Sequence, residues 1–372
     1  MAAGESAGEP ADRRVAVIVA GPTATGKSSL ALALAEAFDG VVINADALQV
    51  YTGLRILTAR PDRAATARAP HALYGVLAPD DPCSAGRWRA MALRKIDTAH
   101  RAGRLPVLVG GSGLYLRALE YGLSPIPPIP PEIHKAALKR HRELGGPAFH
   151  AALAERDPAV AARLNPRDQL RLVRAWEVLE ATGRSIGKWQ AMSGEPGLAY
   201  RRLRLILLPP RPRLYEACDR RFEAMMAAGA PGEVRRLLDR GLDPDLPIMK
   251  AVGVRELARL QAGEWSADRA VAAAQQATRN YAKRQVTWLR TQMLAGTPEQ
   301  YAERIATAPP WADPSRPPTL PTPPADAASA ANPGDLVHRM AADTWVIHAQ
   351  YSESLLPRIF RILRDFLLTT PG

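Results

Sequence analysis

The first unbroken apolar run is Val15-Ala16-Val17-Ile18-Val19-Ala20, closed by Gly21-Pro22. Six apolar residues rich in β-branched side chains, without alternation, predict a strand buried on both faces. Ser28–Phe38 is Ala/Leu-rich and predicts a helix. Val41–Asn44 predicts a second strand, Arg87–Arg101 a helix, and Leu105–Val109 a third strand followed by Gly110-Gly111. Strands alternating with helices imply an α/β fold built on a parallel sheet. The pattern breaks at Ser124–Pro131, where five of eight residues are proline. From Glu132 to Gln190 there is no strand signal, and helices are predicted, among them Arg171–Ala181 with Gly183 as its stop. Leu203–Leu208 is the fourth strand candidate, ended by Pro209-Pro210, and helical patterns run on to about Leu294. The expected organisation is an α/β core over 15–123 and 200–308, interrupted by an all-helical insertion domain at 124–199. Residues 1–14 are expected to be disordered, 309–335 to form a Pro/Ala-rich linker, and 336–372 to be a C-terminal extension without an assigned role. Within that extension Ser354–Leu368 spreads apolar residues over a broad face with Arg358, Arg361 and Arg364 between them. It predicts an amphipathic helix, which packs on its own protein more readily than on an anionic surface.

At 372 residues the chain allows two or three domains. Apolar residues make up 47% and charged residues 23%, which excludes a mainly disordered or membrane-embedded chain. No apolar run reaches the length of a membrane span, and Val15–Ala20 is too short for a signal peptide. The two cysteines, Cys83 and Cys218, exclude a disulfide framework and fit a reducing compartment, so a cytoplasmic location is expected. With 49 Lys and Arg against 37 Asp and Glu, the net charge is +12. That surplus points either to a polyanionic partner, most simply nucleic acid, or to solubilising surface charge.

Three stretches carry chemistry. Gly21-Pro22-Thr23-Ala24-Thr25-Gly26-Lys27-Ser28 matches GxxxxGK[ST] between a predicted strand and a predicted helix, the context a phosphate-binding loop (P-loop) requires. Backbone N–H groups and the helix N-terminus would surround phosphate oxygens, Lys27 would neutralise them, and Ser28 would hold Mg²⁺. The motif specifies phosphate or pyrophosphate, not ATP. Next, the strand ending Val41-Val42-Ile43-Asn44-Ala45 runs into Asp46. Strand C-terminal ends face the ligand crevice of a parallel sheet, so Asp46 is a metal-water ligand, a general base or an ordinary cap. Finally, Thr278–Arg290 has no Gly or Pro and suits a helix. Arg279, Lys283 and Arg290 then fall within about 40° of one another, with Tyr281 and Trp288 opposite. Such a stripe either binds a nucleic-acid backbone or is a solvated face.

Together the motifs resemble the tRNA dimethylallyltransferases, also called tRNA isopentenylpyrophosphate transferases. The resemblance rests on six blocks in order: GPTATGKS at 21–28, INADALQVY at 43–51, TARP at 58–61, VGGSGLYLRAL at 109–119, VRAWEVLEATG at 173–183 and YAKRQVTWLR at 281–290. It implies a P-loop core with an inserted helical domain that grips a tRNA anticodon stem-loop. It also implies Mg²⁺-dependent transfer of a dimethylallyl group from dimethylallyl pyrophosphate to N6 of the adenosine 3′ of the anticodon, in tRNAs reading codons that begin with U. By the same carry-over Asp46 is the base, with Thr23 and Ser112 beside the reacting centre. Gly21, Thr23, Ala24, Thr25, Gly26, Lys27, Ser28 and Arg221 bind pyrophosphate. The tRNA contacts fall on Asp46, Ala47, Leu48, Gln49, Ser112, His134, Leu170, Arg171, Arg174, Lys250, Gly253, Arg255, Arg279, Lys283, Arg284, Gln285, Trp288 and Arg290. A monomer, without membrane attachment, is the implied state.

The chain departs from the family pattern at Ala47, where Ser is usual, at Leu57 in place of Gly, and at Ala217 and His134 in place of Arg. The Gln of a Gln-Arg pair is displaced to Gln169, and Ser112 stands for Thr with its hydroxyl kept. None of these touches Lys27, Ser28 or Asp46. A P-loop kinase or ATPase would leave the charge and the last block unexplained. A transferase acting on free adenylate predicts neither the insertion nor the basic helix, and a non-catalytic RNA-binding relative predicts loss of Lys27 or Asp46.

Overall fold

The computed structural model describes residues 14–192, 194, 196–294 and 336–369; the segment 309–335 expected to be a linker, and residues 1–13, lie outside the described residues. The strand expected at Val15–Ala20 is β1, and all six of its residues are buried. Its alternate side chains enter different cores. Ala16, Ile18 and Ala20 face one layer of helices, and Val17 and Val19 face the other. That two-sided burial is why the run is continuous rather than alternating. Around β1 the sheet runs β3 (His71–Ala72), β2 (Gly40–Asn44), β4 (Leu105–Gly110), β1, β5 (Arg201–Leu207), β7 (Thr344–Ile347) and β6 (Val337–Ala341). Every pairing is parallel except β6 with β7.

One face packs on Trp88 of α3 (Ala85–Arg101), Leu116 and Leu119 of α4 (Gly113–Tyr121), and Phe222 of α9 (Arg211–Ala227). Val234 and Leu237 of α10 (Ala230–Leu238), Leu257 of α11 (Val254–Gln261) and Ala274 of α12 (Ala267–Trp288) complete that layer. The other face packs on Leu30 and Leu34 of α1 (Lys27–Ala37) and on Ile359 and Leu363 of α13 (Leu356–Leu368). The amphipathic C-terminal stretch therefore buries its apolar face in this protein.

β5 begins at Arg201, two residues before the expected Leu203. Its Arg204 is buried, with Nε on Glu120 and an NH1 bond of 2.9 Å to Asp343. An arginine enters a strand interior only with such partners, and apolar counting does not detect them. β3, β6 and β7 had no apolar run long enough to predict them.

Residues 121–197 form a second compact unit. It consists of α5 (Pro131–Arg156), α6 (Pro158–Ala161), α7 (Gln169–Thr182) and α8 (Ile186–Gln190) around Phe149, Leu153, Leu172 and Trp176. Asp168 caps α7 by accepting the Arg171 N–H at 3.2 Å, and Gly183 ends it in the left-handed region at φ 64°.

Candidate active site

The registers Ala20↔Gly110 and Asn44↔Val109 bring the C-terminal ends of β1, β4 and β2 to one edge of the sheet. Three loops leave that edge together: 21–26, 45–49 and 111–112. The first turns through left-handed conformations at Ala24 (φ 63°) and Gly26 (φ 81°) before α1 begins at Lys27. Alternating handedness of this kind makes an anion-binding nest of backbone N–H groups. Thr25 is fully buried and locks the turn by donating to the Pro22 carbonyl at 3.0 Å.

Lys27 donates to the same carbonyl at 3.3 Å. Burial, then the Arg221 charge, lower its pKa to about 8, against the opposite pull of Asp46. Arg221, on α9, is also pushed below its ordinary value by burial, again opposed by Asp46. Two cations thus face one cavity with a single carboxylate near them, a charge surplus that an anion would balance.

Asp46 is held from both sides. Buried Asn44 accepts its N–H at 2.8 Å and donates to its carbonyl at 3.0 Å, and Asn44 also donates to Leu73 at 3.0 Å. Asp46 Oδ1 in turn accepts the N–H groups of Leu48 at 2.9 Å and Gln49 at 3.4 Å, an Asx turn. One carboxylate oxygen is occupied by backbone, which leaves the other for proton chemistry. Ser112 Oγ accepts the Ala47 N–H at 2.8 Å and so ties the third loop to this one. Tyr281 of α12 lies beside Ser112 and Asp46, and burial keeps its phenol neutral far above the ordinary range.

Lys27, Arg221, Asp46 and Tyr281 line one cavity. Its polar end holds Thr23, Lys27, Asp46 and Arg221; its apolar wall holds Leu57, Phe222, Met225 and Val252. The wall is braced by buried Glu233 of α10, whose carboxylate accepts the N–H groups of Arg55, Ile56 (3.0 Å) and Leu57 (2.9 Å). Gly253, expected to admit RNA backbone, is buried at φ 97°; a Cβ there would come within 2.9 Å of Leu57 and 3.1 Å of Phe222.

The remaining expected RNA contacts separate into two sets. On α12, Lys283 and Arg284 are exposed, Arg279 is ion-paired with Asp219 at 2.6 Å, and Gln285 is buried. The ring of Trp288 lies on Gly113, where an added Cβ would come within 2.2 Å of it. Arg290 is partly buried, Arg255 is exposed, and Lys250 pairs with Asp245 at 3.3 Å. In the second unit Glu177 binds both His134 (2.5 Å) and Arg174 (2.6 Å). There Arg171 is exposed and Leu170 stands 78% exposed.

Phe222, Met225 and Glu233 were not anticipated from sequence. Phe222 and Met225 follow Arg221 by one and four residues on α9, so the helical period around a suspected ligand arginine was the one available signal. Glu233 gave none.

The edge of the sheet thus carries an anion nest, a partly buried lysine, a second cation and a pinned carboxylate beside an apolar wall in an α/β fold. The profile of the IPP transferase family matches residues 49–292. The chain is 56% identical over 289 residues to the tRNA dimethylallyltransferase of Rhodospirillum centenum, covering 77% of this chain and 91% of that one. It is 53% identical to the same-named protein of Paramagnetospirillum magneticum, covering 78% and 93%. Among solved structures it resembles the tRNA isopentenylpyrophosphate transferase of Bacillus halodurans, with TM-score 0.53, 31% identity and coverage of 75% and 88%. A eukaryotic dimethylallyltransferase acting on tRNA shares the fold, with TM-score 0.64, 24% identity and coverage of 76% and 71%. The chain belongs to the IPP transferase family.

Proposed function

We propose that this chain transfers a dimethylallyl group from dimethylallyl pyrophosphate to N6 of the adenosine 3′ of the anticodon in tRNA, releasing pyrophosphate. The observation that carries this reading is one cavity with two cations against a single backbone-pinned carboxylate at one end and an apolar wall at the other. The names of the relatives reported above, tRNA dimethylallyltransferases, support the same chemistry.

The residues divide the reaction among them. N6 of adenine attacks C1 of the allyl group, the C1–oxygen bond breaks, and the electron pair leaves on pyrophosphate. The loop 21–28, Lys27 and Arg221 stabilise the charge that develops there, a preorganised electrostatic contribution. The free Asp46 oxygen takes the proton that N6 loses. Leu57, Phe222, Met225 and Val252 receive the five-carbon chain and exclude water from the allylic centre.

Ser28 is exposed in the first turn of α1, and among the described residues no group of three or more His, Cys, Asp or Glu is assembled for a metal. The Ser28 hydroxyl would be the protein ligand of Mg²⁺, the role a phosphate-loop serine plays. When bound, the ion adds positive charge against the leaving group. Exposed Lys283, Arg284, Arg255 and Arg171 supply backbone contacts for the anticodon stem-loop, and adenine leaves the stack to reach the cavity.

The test uses the purified chain, Mg²⁺, dimethylallyl pyrophosphate and unmodified tRNA, with AMP as a parallel acceptor, read by mass spectrometry after nuclease digestion. Dimethylallyl-adenosine from tRNA alone is expected. Adduct on AMP alone, or ATP hydrolysis without adduct, overturns the proposal.

A further inference from the structure

Gln285 is 6% exposed although it stands between the exposed Arg284 and Thr287 of α12. Its Oε1 accepts the backbone N–H of Thr23 at 2.8 Å, and its Nε2 donates to the carbonyl of Gly111 at 3.0 Å. One partner is a donor and the other an acceptor, so a single orientation of the amide satisfies both. The approach on the Gly111 side is close: a Cβ added at Gly111 would come within 2.3 Å of Nε2 and 2.9 Å of the Gly21 carbonyl. Thr23 belongs to the phosphate loop, and Gly111 precedes Ser112, whose hydroxyl holds the Asp46 loop.

We infer that Gln285 is a positioning residue that sets the spacing between the phosphate loop and the Ser112–Asp46 pair, and is not an RNA contact. The inference rests on the transferase reading above. Gln285 does not line the cavity. It acts through Thr23 and Gly111, and it fixes the distance from the leaving pyrophosphate to the base without touching either. It also uses the Thr23 N–H, so the phosphate loop presents its remaining N–H groups to the ligand. The same helix carries Lys283 and Arg284 outward, so one element joins the RNA face to the pyrophosphate site.

Two variants of the full chain test this. Gln285→Met keeps the volume and removes both hydrogen bonds. Gln285→Glu keeps the acceptor, loses the donor and adds charge. Binding of inorganic pyrophosphate with Mg²⁺ is measured by calorimetry, which needs no transfer activity, and KM for each substrate is measured separately. For Gln285→Met we expect pyrophosphate affinity and donor KM each to worsen about tenfold, with the tRNA KM within twofold of wild type. For Gln285→Glu the affinity deficit relative to wild type narrows as pH falls from 8 to 5, because a protonated carboxyl again offers both a donor and an acceptor. A raised tRNA KM with unchanged pyrophosphate affinity makes Gln285 an RNA contact and overturns the inference. If Gln285→Met does not fold, a pH-independent deficit in Gln285→Glu overturns it equally. Wild-type chain that binds pyrophosphate but forms no adduct defeats the transferase reading, while the calorimetric arm still decides the role of Gln285.

Discussion

Replacing Lys27 by Met should stabilise the ligand-free protein while destroying its affinity for pyrophosphate. Burial and Arg221 bring the Lys27 ammonium from 10.5 to about 8. At about 1.4 kcal/mol per tenfold change in protonation, keeping that ammonium charged near neutrality costs the folded state up to about 3 kcal/mol. The one hydrogen bond it makes, to Pro22 at 3.3 Å, offsets little of this. The sign follows from linkage. Between pH 8 and 10.5 the unfolded chain binds more protons at this site than the folded one, so wild-type stability gains from rising pH there. The advantage of Lys27→Met is therefore full below about pH 8 and vanishes by about pH 10.5. The assay is paired urea unfolding of wild type and variant at pH 7 and at pH 10.5, where groups not coupled to Lys27 cancel in the difference. Saturating pyrophosphate with Mg²⁺ should then reverse the order at pH 7. A ligand at 1,000 times its Kd adds about 4.1 kcal/mol to the wild type, more than the buried charge costs, and nothing to a variant that cannot bind it. A variant less stable than wild type at pH 7 without ligand, or a difference unchanged at pH 10.5, would refute the buried-cation argument.

Asp46→Ala should lower single-turnover transfer at saturating tRNA by about 10²–10⁴-fold; near-normal turnover removes its assignment as base. Lys283→Ala should weaken tRNA binding and reduce the dependence of log K on log salt by about one unit, read by filter binding across a salt series. Glu233→Ala leaves three backbone N–H groups without their carboxylate and should lower the unfolding free energy by about 2–4 kcal/mol, with a raised donor KM because Leu57 and Thr58 line the cavity. An unfolding free energy within 0.5 kcal/mol of wild type would mean that water replaces the carboxylate.

What could be read from the sequence follows from what local pattern encodes. Val15–Ala20, Val41–Asn44 and Leu105–Val109 are buried on both faces, so each shows as an apolar run, and each occupies the sheet as expected. The phosphate loop and Asp46 were legible because their chemistry is written in consecutive residues at strand ends. Glu233 and Gln285 were not. Their partners lie 176–178 and 174–262 residues away, and a buried glutamate or glutamine on a helix has the same local signature as an exposed one. The partners of Arg204 inside the expected strand, Glu120 and Asp343, were invisible for the same reason.

The strands of the segment 336–369 are invisible in sequence, and yet the segment reaches the phosphate-loop motif. Its strand β7 pairs with β5, and the Leu208 N–H donates to Ile347 at 2.8 Å, which carries the chain toward the phosphate loop. There the Tyr351 N–H donates to the Thr25 carbonyl at 3.0 Å. A Cβ on Gly26 would lie 2.6 Å from that of Tyr351. Gly26 is thus constrained twice. Its φ of 81° favours glycine, and the C-terminal segment fills the space a side chain would need. The GxxxxGK[ST] pattern encodes the first constraint. The second arises from a residue 325 positions later, in a segment whose short strands, Val337–Ala341 and Thr344–Ile347, are too brief to announce themselves by pattern. The extension thereby packs against the GxxxxGK[ST] turn, whose Thr23 and Lys27 line the cavity with Arg221 and Asp46.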